Sequence, residues 1–389
     1  MQSIGHTPVA RDVRLWALSL GNFAIGTGVM VVSGLLPPMS ADLGLSYAAL
    51  GQTITAFAVA VAFGAPLLAG PTSRLDRRLV LQIALAVFVA GNALCALSVS
   101  YETLLLGRVV AGLGAALFTP HASVAASLLT TPQTRGRAMS LVFLGFTAST
   151  VLGVPIGTVA GDLLGWRATF WAIAGLACIA LFAVRVLLPH DLRAPSIDTR
   201  SWFAVFSNRT MTTLLLVTVA QSAGQFVLLS YIAPALKASI GASSFVLGTM
   251  FAIYGALGVI GNIVAGAIID TRGAAFVMNM MIATVGAGLA LFPLSGLGLA
   301  ATVAVMALWG FGSFALNSAQ QARLVGRSAA LASATLPLNS SAIYVGQAIG
   351  AGVGGLLLSS GWLGVLGPCG AVLLVVAFAL SVASERFTG

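Results

Sequence analysis

The chain has 389 residues, of which 59% are hydrophobic and only 7% charged, whereas roughly 25% of the residues of an ordinary soluble domain are charged. A water-soluble core could not bury this much apolar surface, so the composition excludes a soluble protein and predicts one that crosses the lipid bilayer many times. The formal net charge is +9, but the arginines are spread thinly through loops, which argues against nucleic acid as a partner.

Twelve apolar runs follow one another, and each is about 20 residues long, enough to cross a bilayer as a helix. Glycine and proline inside these runs are tolerated better in membrane helices than in soluble ones. The weakest boundary is the short break between Leu294 and Gly298. The predicted spans lie near 15–37, 47–69, 79–99, 103–129, 138–161, 168–188, 211–235, 245–269, 274–294, 298–321, 332–358 and 363–383.

One sizeable polar stretch, Pro189 to Thr210, divides the twelve spans into six and six. We therefore expect an N-terminal six-helix bundle over residues 1–188, a cytoplasmic linker over 189–210 and a second six-helix bundle over 211–389. The predicted fold class is an all-α polytopic membrane protein made of two pseudo-symmetric bundles.

The basic residues predict the orientation of the spans. If the N-terminus lies inside, all but three of the 18 basic residues fall on the inner side, the exceptions being Arg108, Arg167 and Lys237. Because cytoplasmic loops carry the excess of lysine and arginine, this asymmetry predicts that both termini are cytoplasmic.

The two halves repeat each other's features. Asp270 follows Asp76 by half the chain, and each comes after the second span of its half. Such a repeat is typical of two-bundle transporters. Glycines spaced by four recur in corresponding spans, at Gly153, Gly157 and Gly161 in the fifth and at Gly346, Gly350 and Gly354 in the eleventh.

Glycines spaced by four share one helix face, which lets another helix approach closely. Pro155 lies among the fifth-span glycines and removes a backbone donor, so it favours a kink. We expect Gly153, Gly157, Gly346 and Gly350 to lie where the bundles meet, as part of a moving contact. The alternative is a tight, static helix pair.

Several short motifs occur in an order and spacing that resemble one known family. Each motif is weak alone, but together they cover nearly the whole chain. The motifs are Gly34-Leu35-Leu36-Pro37, Arg108-Val109-Val110-Ala111-Gly112, Gly145 to Gly157, Gly165-Trp166-Arg167 and Leu338-Asn339-Ser340-Ser341. With these motifs, the chain resembles the major facilitator superfamily, and more narrowly the twelve-span drug:proton antiporters of the arabinose, purine and chloramphenicol efflux type.

The resemblance implies alternating access, proton-coupled drug efflux and a place in the bacterial cytoplasmic (inner) membrane. The sequence departs from the family at Ala69 and Ser73, in the loop motif, and at Val29, where relatives often carry a glutamate. All nine acids fall in loops or at span ends. A proton-driven pump usually needs a buried carboxyl group, so the proton carrier is not evident.

Five residues are candidates for coupling or gating, in addition to the glycines and Pro155. Arg108 resembles the family arginine linked to proton handling; the alternative is an arginine that pairs with a nearby acid or backbone carbonyl. His121 is a candidate because an unperturbed histidine titrates near neutral pH, and the alternative is a hydrogen bond to a neighbouring helix. Asp76, Arg77 and Asp270 belong to the two copies of the loop motif.

The resemblance implies a central cavity lined by the first, fourth, seventh and tenth spans. Amide and aromatic side chains there suit an uncharged or weakly charged amphipathic molecule. For any one of them, a hydrogen bond between helices is at least as good an explanation. The candidate substrate-binding residues are Asn22, Arg108, Gln221, Gln225, Tyr231, Phe314, Asn317, Gln321 and Asn339.

No motif of an enzyme is present, and the three cysteines fit neither a disulfide framework nor metal-ligand spacing, so no cofactor or metal is expected. The expected function is proton-coupled efflux of a drug, sugar or nucleoside-like molecule. The alternative is a proton-independent uniporter of a small neutral metabolite. The expected partners are the bilayer, the substrate and protons, and the expected state is a monomer.

The orientation gives a direct prediction. In a variant without Cys95, Cys178 and Cys369, neither Gly5→Cys nor Pro195→Cys should react with a membrane-impermeant maleimide added to intact cells. Both should react after the cells are opened. Labelling of both in intact cells would contradict cytoplasmic termini.

Overall fold

The computed structural model describes residues 9–72, 74–131, 133–193, 200–328 and 332–386. Ser73, Asp198 and the middle of the predicted linker lie outside these residues. The described chain is helical. Its helices are α1 (Val13–Met30), α2 (Val32–Leu43), α3 (Tyr47–Thr72), α4 (Arg77–Leu97), α5 (Tyr101–Leu128), α6 (Arg135–Ala148), α7 (Val154–Leu163), α8 (Trp166–Leu187), α9 (Arg200–Ser207), α10 (Arg209–Leu229), α11 (Ile232–Ile240), α12 (Ser244–Arg272), α13 (Ala274–Ala290), α14 (Leu299–Arg327), α15 (Ala332–Ser359) and α16 (Leu366–Arg386).

Within the described residues, ten helices are long and apolar enough to cross a membrane, and α1 with α2 forms one more span, bent by 51°. The remaining predicted span, near 274–294, corresponds to the shorter apolar helix α13. The predicted break between the ninth and tenth spans is confirmed as a 3₁₀ segment, Phe292–Leu297. The all-α membrane fold predicted from the sequence is therefore confirmed.

Polar side chains mark where the helices begin. Asp12 accepts a hydrogen bond from the backbone nitrogen of Arg14 at 3.0 Å and caps α1. Partial burial would raise the pKa of Asp12, but the hydrogen bonds and charge of Arg14 outweigh it and hold the pKa below its usual value. Ser100 and Thr103 form a reciprocal capping box at the start of α5.

Three spans are interrupted. α1 bends into α2 at Val31, and α10 passes into α11 at Ser230 and Tyr231. The fifth span contains a π-helical turn, Ser149–Gly153, directly before Pro155. A proline and an extra residue per turn both disturb the helical hydrogen-bond ladder, so the kink expected from Pro155 has a local cause.

The helices pack as two sets, and three pairs of helices form the main contacts between the sets. α1, α4, α5, α6 and α8 pack among themselves, as do α10, α13, α14, α15 and α16. Between the sets, α3 packs on α15, α7 packs on α12, and α2 packs on α11. Below, "the linker end" means the side of the molecule where α8 ends and α10 begins.

The glycine faces lie elsewhere than predicted. An ideal Cβ on Gly157 would lie 2.7 Å from Val31 Cγ2, between α1 and α2, and Gly153 faces Thr27 of α1. Gly350 faces Phe226 of α10, and Gly346 faces Ser222 of the same helix. The prediction that these glycines lie where the bundles meet is wrong.

The reason is that each helix has two crowded faces. The glycines press the fifth span on the first span and the eleventh span on the seventh, within each set. The opposite face of the fifth span crosses between the sets: a Cβ on Gly255 of α12 would lie 3.0 Å from Val151 Cγ2, and a Cβ on Gly248 would lie 3.2 Å from the Pro155 carbonyl oxygen. Spacing by four identifies a small-residue face but not the helix it meets.

These contacts predict different effects for two glycine substitutions, one within a set of helices and one between the sets. Adding bulk to a packed site costs about 1–3 kcal/mol. Gly157→Leu should therefore lower the melting temperature of the purified protein, because it forces α7 from Val31. Gly255→Leu should leave the melting temperature closer to that of the parent and instead increase protease cutting of the linker, because it separates α12 from α7. Gly175→Leu, at a helical glycine with open space around its Cβ, is the control.

Candidate functional site

Arg108 is fully buried on α5 and bonds to the break in the first span. Its Nη1 donates to the carbonyl oxygen of Gly28 at 2.9 Å, two residues before α1 ends, and its guanidinium lies 4.3 Å from the centre of the Phe57 ring. Within the described residues, Arg108 makes no ion pair with Glu102. The alternative of a backbone carbonyl partner is the one that the structure supports, and Arg108 holds α5 against the bend between α1 and α2.

His121 lies between two polar neighbours at the linker end. Its Nδ1 lies 3.3 Å from Arg77 Nη1, and its Nε2 lies 3.1 Å from Thr72 Oγ1. The hydroxyl of Thr72 donates to the Leu68 carbonyl oxygen at 2.6 Å, so it accepts from Nε2–H. His121 therefore bonds as a neutral ring that accepts from Arg77, which agrees with the helix-bonding alternative.

Asp76 and Asp270, the acids of the two loop-motif copies, are half-buried and exposed, respectively. Asp76 caps α4 by accepting from the backbone nitrogen of Arg78 at 3.0 Å, and it also accepts from the backbone nitrogen of Asp191 at 3.2 Å. This second bond holds the start of α4 to the chain that follows α8. Asp270 lies near the end of α12 and is exposed. Both positions agree with a structural part in the loops at the linker end.

Asn22 is used inside the first set of helices. Its Nδ2 donates to the carbonyl oxygen of Val142 on α6 at 3.0 Å, and its Oδ1 accepts from Thr119 on α5 at 2.9 Å. The residue is fully buried. Asn22 was predicted to bind substrate, but here its amide ties the first, fourth and fifth spans together.

Asn339 is used in the same way in the second set. Its Oδ1 accepts from Thr218 of α10 at 2.6 Å, and Gln320 of α14 donates to the Thr218 hydroxyl at 3.1 Å. Gln320 also donates to the carbonyl oxygen of Leu214. This tie joins the seventh, tenth and eleventh spans, the counterparts of the spans that Asn22 joins.

Thr218 and Gln320 were not predicted as site residues. Thr218 follows Asn22 by about half the chain, and Gln320 lies in the span that corresponds to that of Thr119. The half-chain repeat was therefore a signal that could have located this second tie from the sequence.

Two pairs of amide side chains, one on α10 and one on α14, bond within their own helix. Gln225 Nε2 donates to Gln221 Oε1 at 2.9 Å, and Gln321 Nε2 donates to Asn317 Oδ1 at 3.2 Å. Phe314 is half-buried one turn before Asn317, edge-on to Tyr254 with their ring centres 6.4 Å apart. Of the predicted substrate residues, these four amides make no described hydrogen bond to another span, whereas Phe314 packs on α12.

Tyr231 lies where the two sets of helices meet, at the end opposite the linker. Its hydroxyl donates to the carbonyl oxygen of Ala351 on α15 at 2.8 Å, and the side chain is fully buried. A Cβ on Gly51 of α3 would overlap that hydroxyl, and one on Gly355 would lie 2.7 Å from it. Tyr231 thus fills a gap between α3 and α15 instead of facing an open cavity.

Comparisons with known proteins agree with this architecture. Residues 18–336 match the family model of the Major Facilitator Superfamily. The chain is 32% identical over 379 residues to a chloramphenicol resistance protein of Streptomyces lividans, covering 95% of each chain. It is 30% identical over 347 residues to the inner membrane transport protein YdhP of Escherichia coli (strain K12), covering 89% of each. The solved structure of the nucleoside transporter NupG matches 98% of this chain and 99% of its own with a TM-score of 0.76, at 15% identity, which shows a shared fold.

The Tyr231 contact predicts that Gly51→Ala loosens the end opposite the linker. The added methyl group cannot coexist with the Tyr231 hydroxyl, and a misfit of this kind costs about 1–3 kcal/mol, so we expect labelling of a cysteine at buried position 235 (Ala235→Cys) to become about fivefold faster or more. The measurement is the rate of maleimide labelling of purified protein. Gly175→Ala is the control and should leave the rate unchanged, whereas equal rates in all three proteins would contradict the gap-filling contact.

Proposed function

The chain belongs to the Major Facilitator Superfamily and is a membrane transporter, and from this we propose that it exports small, uncharged, amphipathic organic molecules in exchange for protons. The proposed cycle is alternating access, in which the two bundles rock about a central site and open it to one side of the membrane at a time. The proposed location is the bacterial inner membrane, because the relative YdhP is named an inner membrane transport protein.

The two sets of helices contact each other at the end opposite the linker, and this contact is the observation that carries the proposal. At the end opposite the linker, α2 packs on α11, and Tyr231 fills the space beside Gly51. In the described residues, α5 and α14 are not among the helix pairs that pack extensively. Contact at the end opposite the linker, together with the separation of α5 from α14, fits a transporter whose site opens toward the linker end.

The direction and substrate class rest on the relatives and on charge. A chloramphenicol resistance protein is similar over 95% of the chain, which favours export of an organic molecule. The described acids lie in loops or at helix ends, so the helix interiors offer no carboxylate to hold a strongly cationic substrate. We therefore propose uncharged or weakly charged molecules.

The absence of a carboxylate from the described helix interiors also favours a second candidate function, a proton-independent uniporter. His121 is a poor proton carrier in this geometry, because a proton on Nδ1 would replace a bond accepted from Arg77 by repulsion between two cations. A coupled proton must then use a helix-end acid or move with the substrate.

Inverted membrane vesicles test the two candidates. Vesicles that contain the protein should accumulate radiolabelled chloramphenicol, and an imposed pH gradient, acidic inside, should increase the accumulation. Vesicles without the protein give the background. Uptake that is above background but independent of the pH gradient would replace antiport by uniport, and the absence of uptake for chloramphenicol, uridine and arabinose would contradict the proposed export.

The His121 geometry adds a prediction about coupling. Glutamine cannot titrate, but its side-chain carbonyl can still accept from Arg77. If His121 is not the proton carrier, His121→Gln should therefore keep the response to the pH gradient. His121→Leu removes that acceptor and should lower the melting temperature of the protein. Loss of the pH response in the glutamine variant, with normal expression and normal melting, would identify His121 as the carrier after all.

A further inference from the structure

A cleft with a volume of about 270 Å³ lies at the end opposite the linker, between the two halves of the chain. The start of α3 supplies one wall from the first half. The other walls come from the second half, from α11, the end of α15 and the 3₁₀ turn that follows it. Below, this feature is called the Lys237 cleft. Its lining residues are Tyr47, Pro234, Lys237, Ala238, Leu358 and Leu363.

The cleft lies directly next to the contact that Tyr231 makes between α3 and α15. Tyr47 precedes Gly51 by four residues on α3, so it lies about one helical turn further from the linker end. Leu358 follows Gly355 by three residues on α15, which runs in the opposite direction, so it too lies about one turn further out. The helices that enclose the Tyr231 hydroxyl therefore also enclose the cleft, one turn closer to the surface.

The cleft has a positive charge at its edge. Lys237 is the one lysine of the chain, and it is exposed in the last turn of α11. A cation there complements the helix dipole, but among the described residues Lys237 has no ion-pair partner. Arg167, another basic residue at this end, is by contrast paired with Asp42. The charge of Lys237 is therefore open to an anion from outside the protein.

The rest of the lining is apolar except for the hydroxyl of Tyr47. Pro234 is buried, Leu358 and Leu363 are half-buried, and none of the described lining residues is acidic. An apolar wall with a cation at its edge complements the two parts of an amphipathic carboxylate. The volume equals that of about nine water molecules at roughly 30 Å³ each, which fits a chain of about eight carbons and is too small for the two acyl chains of a phospholipid.

We propose that the Lys237 cleft binds an amphipathic carboxylate of about eight carbons, with its head group on the Lys237 ammonium and its chain against Leu358 and Leu363. The cleft is complete only while Tyr47 of the first half lies against the second half. A molecule bound there therefore stabilises the closed contact at this end and slows alternating access. Tyr231 fills the space beneath the cleft, so this site is separate from the expected central cavity and goes beyond the proposed export function.

Because the chain has one lysine, amine chemistry reports on this site directly. An N-hydroxysuccinimide ester acetylates Lys237 and the terminal amino group of purified full-length protein, and mass spectrometry measures both rates. Octanoate at twice its dissociation constant should slow acetylation of Lys237 about threefold, since about one site in three stays free, and should leave the terminal amino group unchanged. Octanol has the chain without the charge and butyrate the charge without the chain, so neither should protect Lys237 at the same concentration.

Two glutamate substitutions, one residue apart, form a matched pair. Ala238→Glu places a carboxylate in the cleft beside Lys237 and should abolish the protection by octanoate. Ser239→Glu adds the same charge next to a different cleft and should keep the protection. Both positions are exposed, so both variants should fold, which their melting temperatures check. Lys237→Gln should weaken the binding of radiolabelled octanoate about tenfold, because it removes a hydrogen bond to a charged group.

A buried cysteine tests whether the bound molecule stabilises the contact. Ala351 is fully buried and lies about two helical turns from Leu358 on α15, too far for octanoate in the cleft to cover it. In a protein that lacks the three native cysteines, octanoate at twice its dissociation constant should slow maleimide labelling of Ala351→Cys about threefold. It should not slow labelling when Ala238→Glu is also present.

Three results would overturn the proposal. The first is equal protection by octanoate and octanol, or protection that persists in Ala238→Glu. The second is stronger protection by phosphatidylglycerol vesicles than by phosphatidylcholine vesicles with no further effect of octanoate, which would assign the cleft to a phospholipid. The third is unchanged labelling of Ala351→Cys, which would contradict stabilisation of the contact. None of these measurements uses a transported substrate, so this inference and the proposed export function can fail separately.

Discussion

The close packing of small residues against neighbouring helices is the interaction on which both bundles depend. Lipid chains are as apolar as the helix surfaces, so association needs close van der Waals contact and hydrogen bonds between helices. Gly153 and Gly157 provide that contact between the fifth and first spans, and Gly346 and Gly350 provide it between the eleventh and seventh. These glycines pack helices within each set, and the contacts between the sets use other helix faces.

Hydrogen bonds in the interior are made almost entirely without acids. Arg108 bonds a backbone carbonyl and lies on an aromatic ring, and Arg77 bonds Thr72 and His121. At the linker end, Arg323 bonds Ser381 at 2.7 Å and also reaches Glu385 at the end of α16. Neutral acceptors supply most of the described hydrogen bonds of these arginines, and Glu385 adds an ion pair to Arg323 at the end of α16.

The breaks in the first and seventh spans lie at corresponding places in the two halves. Val31 separates α1 from α2, and Ser230 and Tyr231 separate α10 from α11. Arg108 fixes the first break from inside its own bundle, whereas Tyr231 reaches across to Gly51 of the other bundle. The two halves are repeats in topology, but only the second break takes part, through Tyr231, in this contact between bundles.

The sequence by itself determined the membrane class, the order of the spans, the break at Leu294–Gly298 and the shortage of interior acids. These features depend on local composition and hydropathy, which each segment carries whatever it packs against. Only the tertiary structure decided which neighbour each polar side chain meets. Asn22 bonds a residue 120 positions away, Thr218 bonds Asn339 121 positions away, and Tyr231 bonds Ala351 120 positions away. Helical spacing places a residue on a face, but the partner of that face comes from a distant span, so the sequence could not tell a structural amide from one free to bind a ligand.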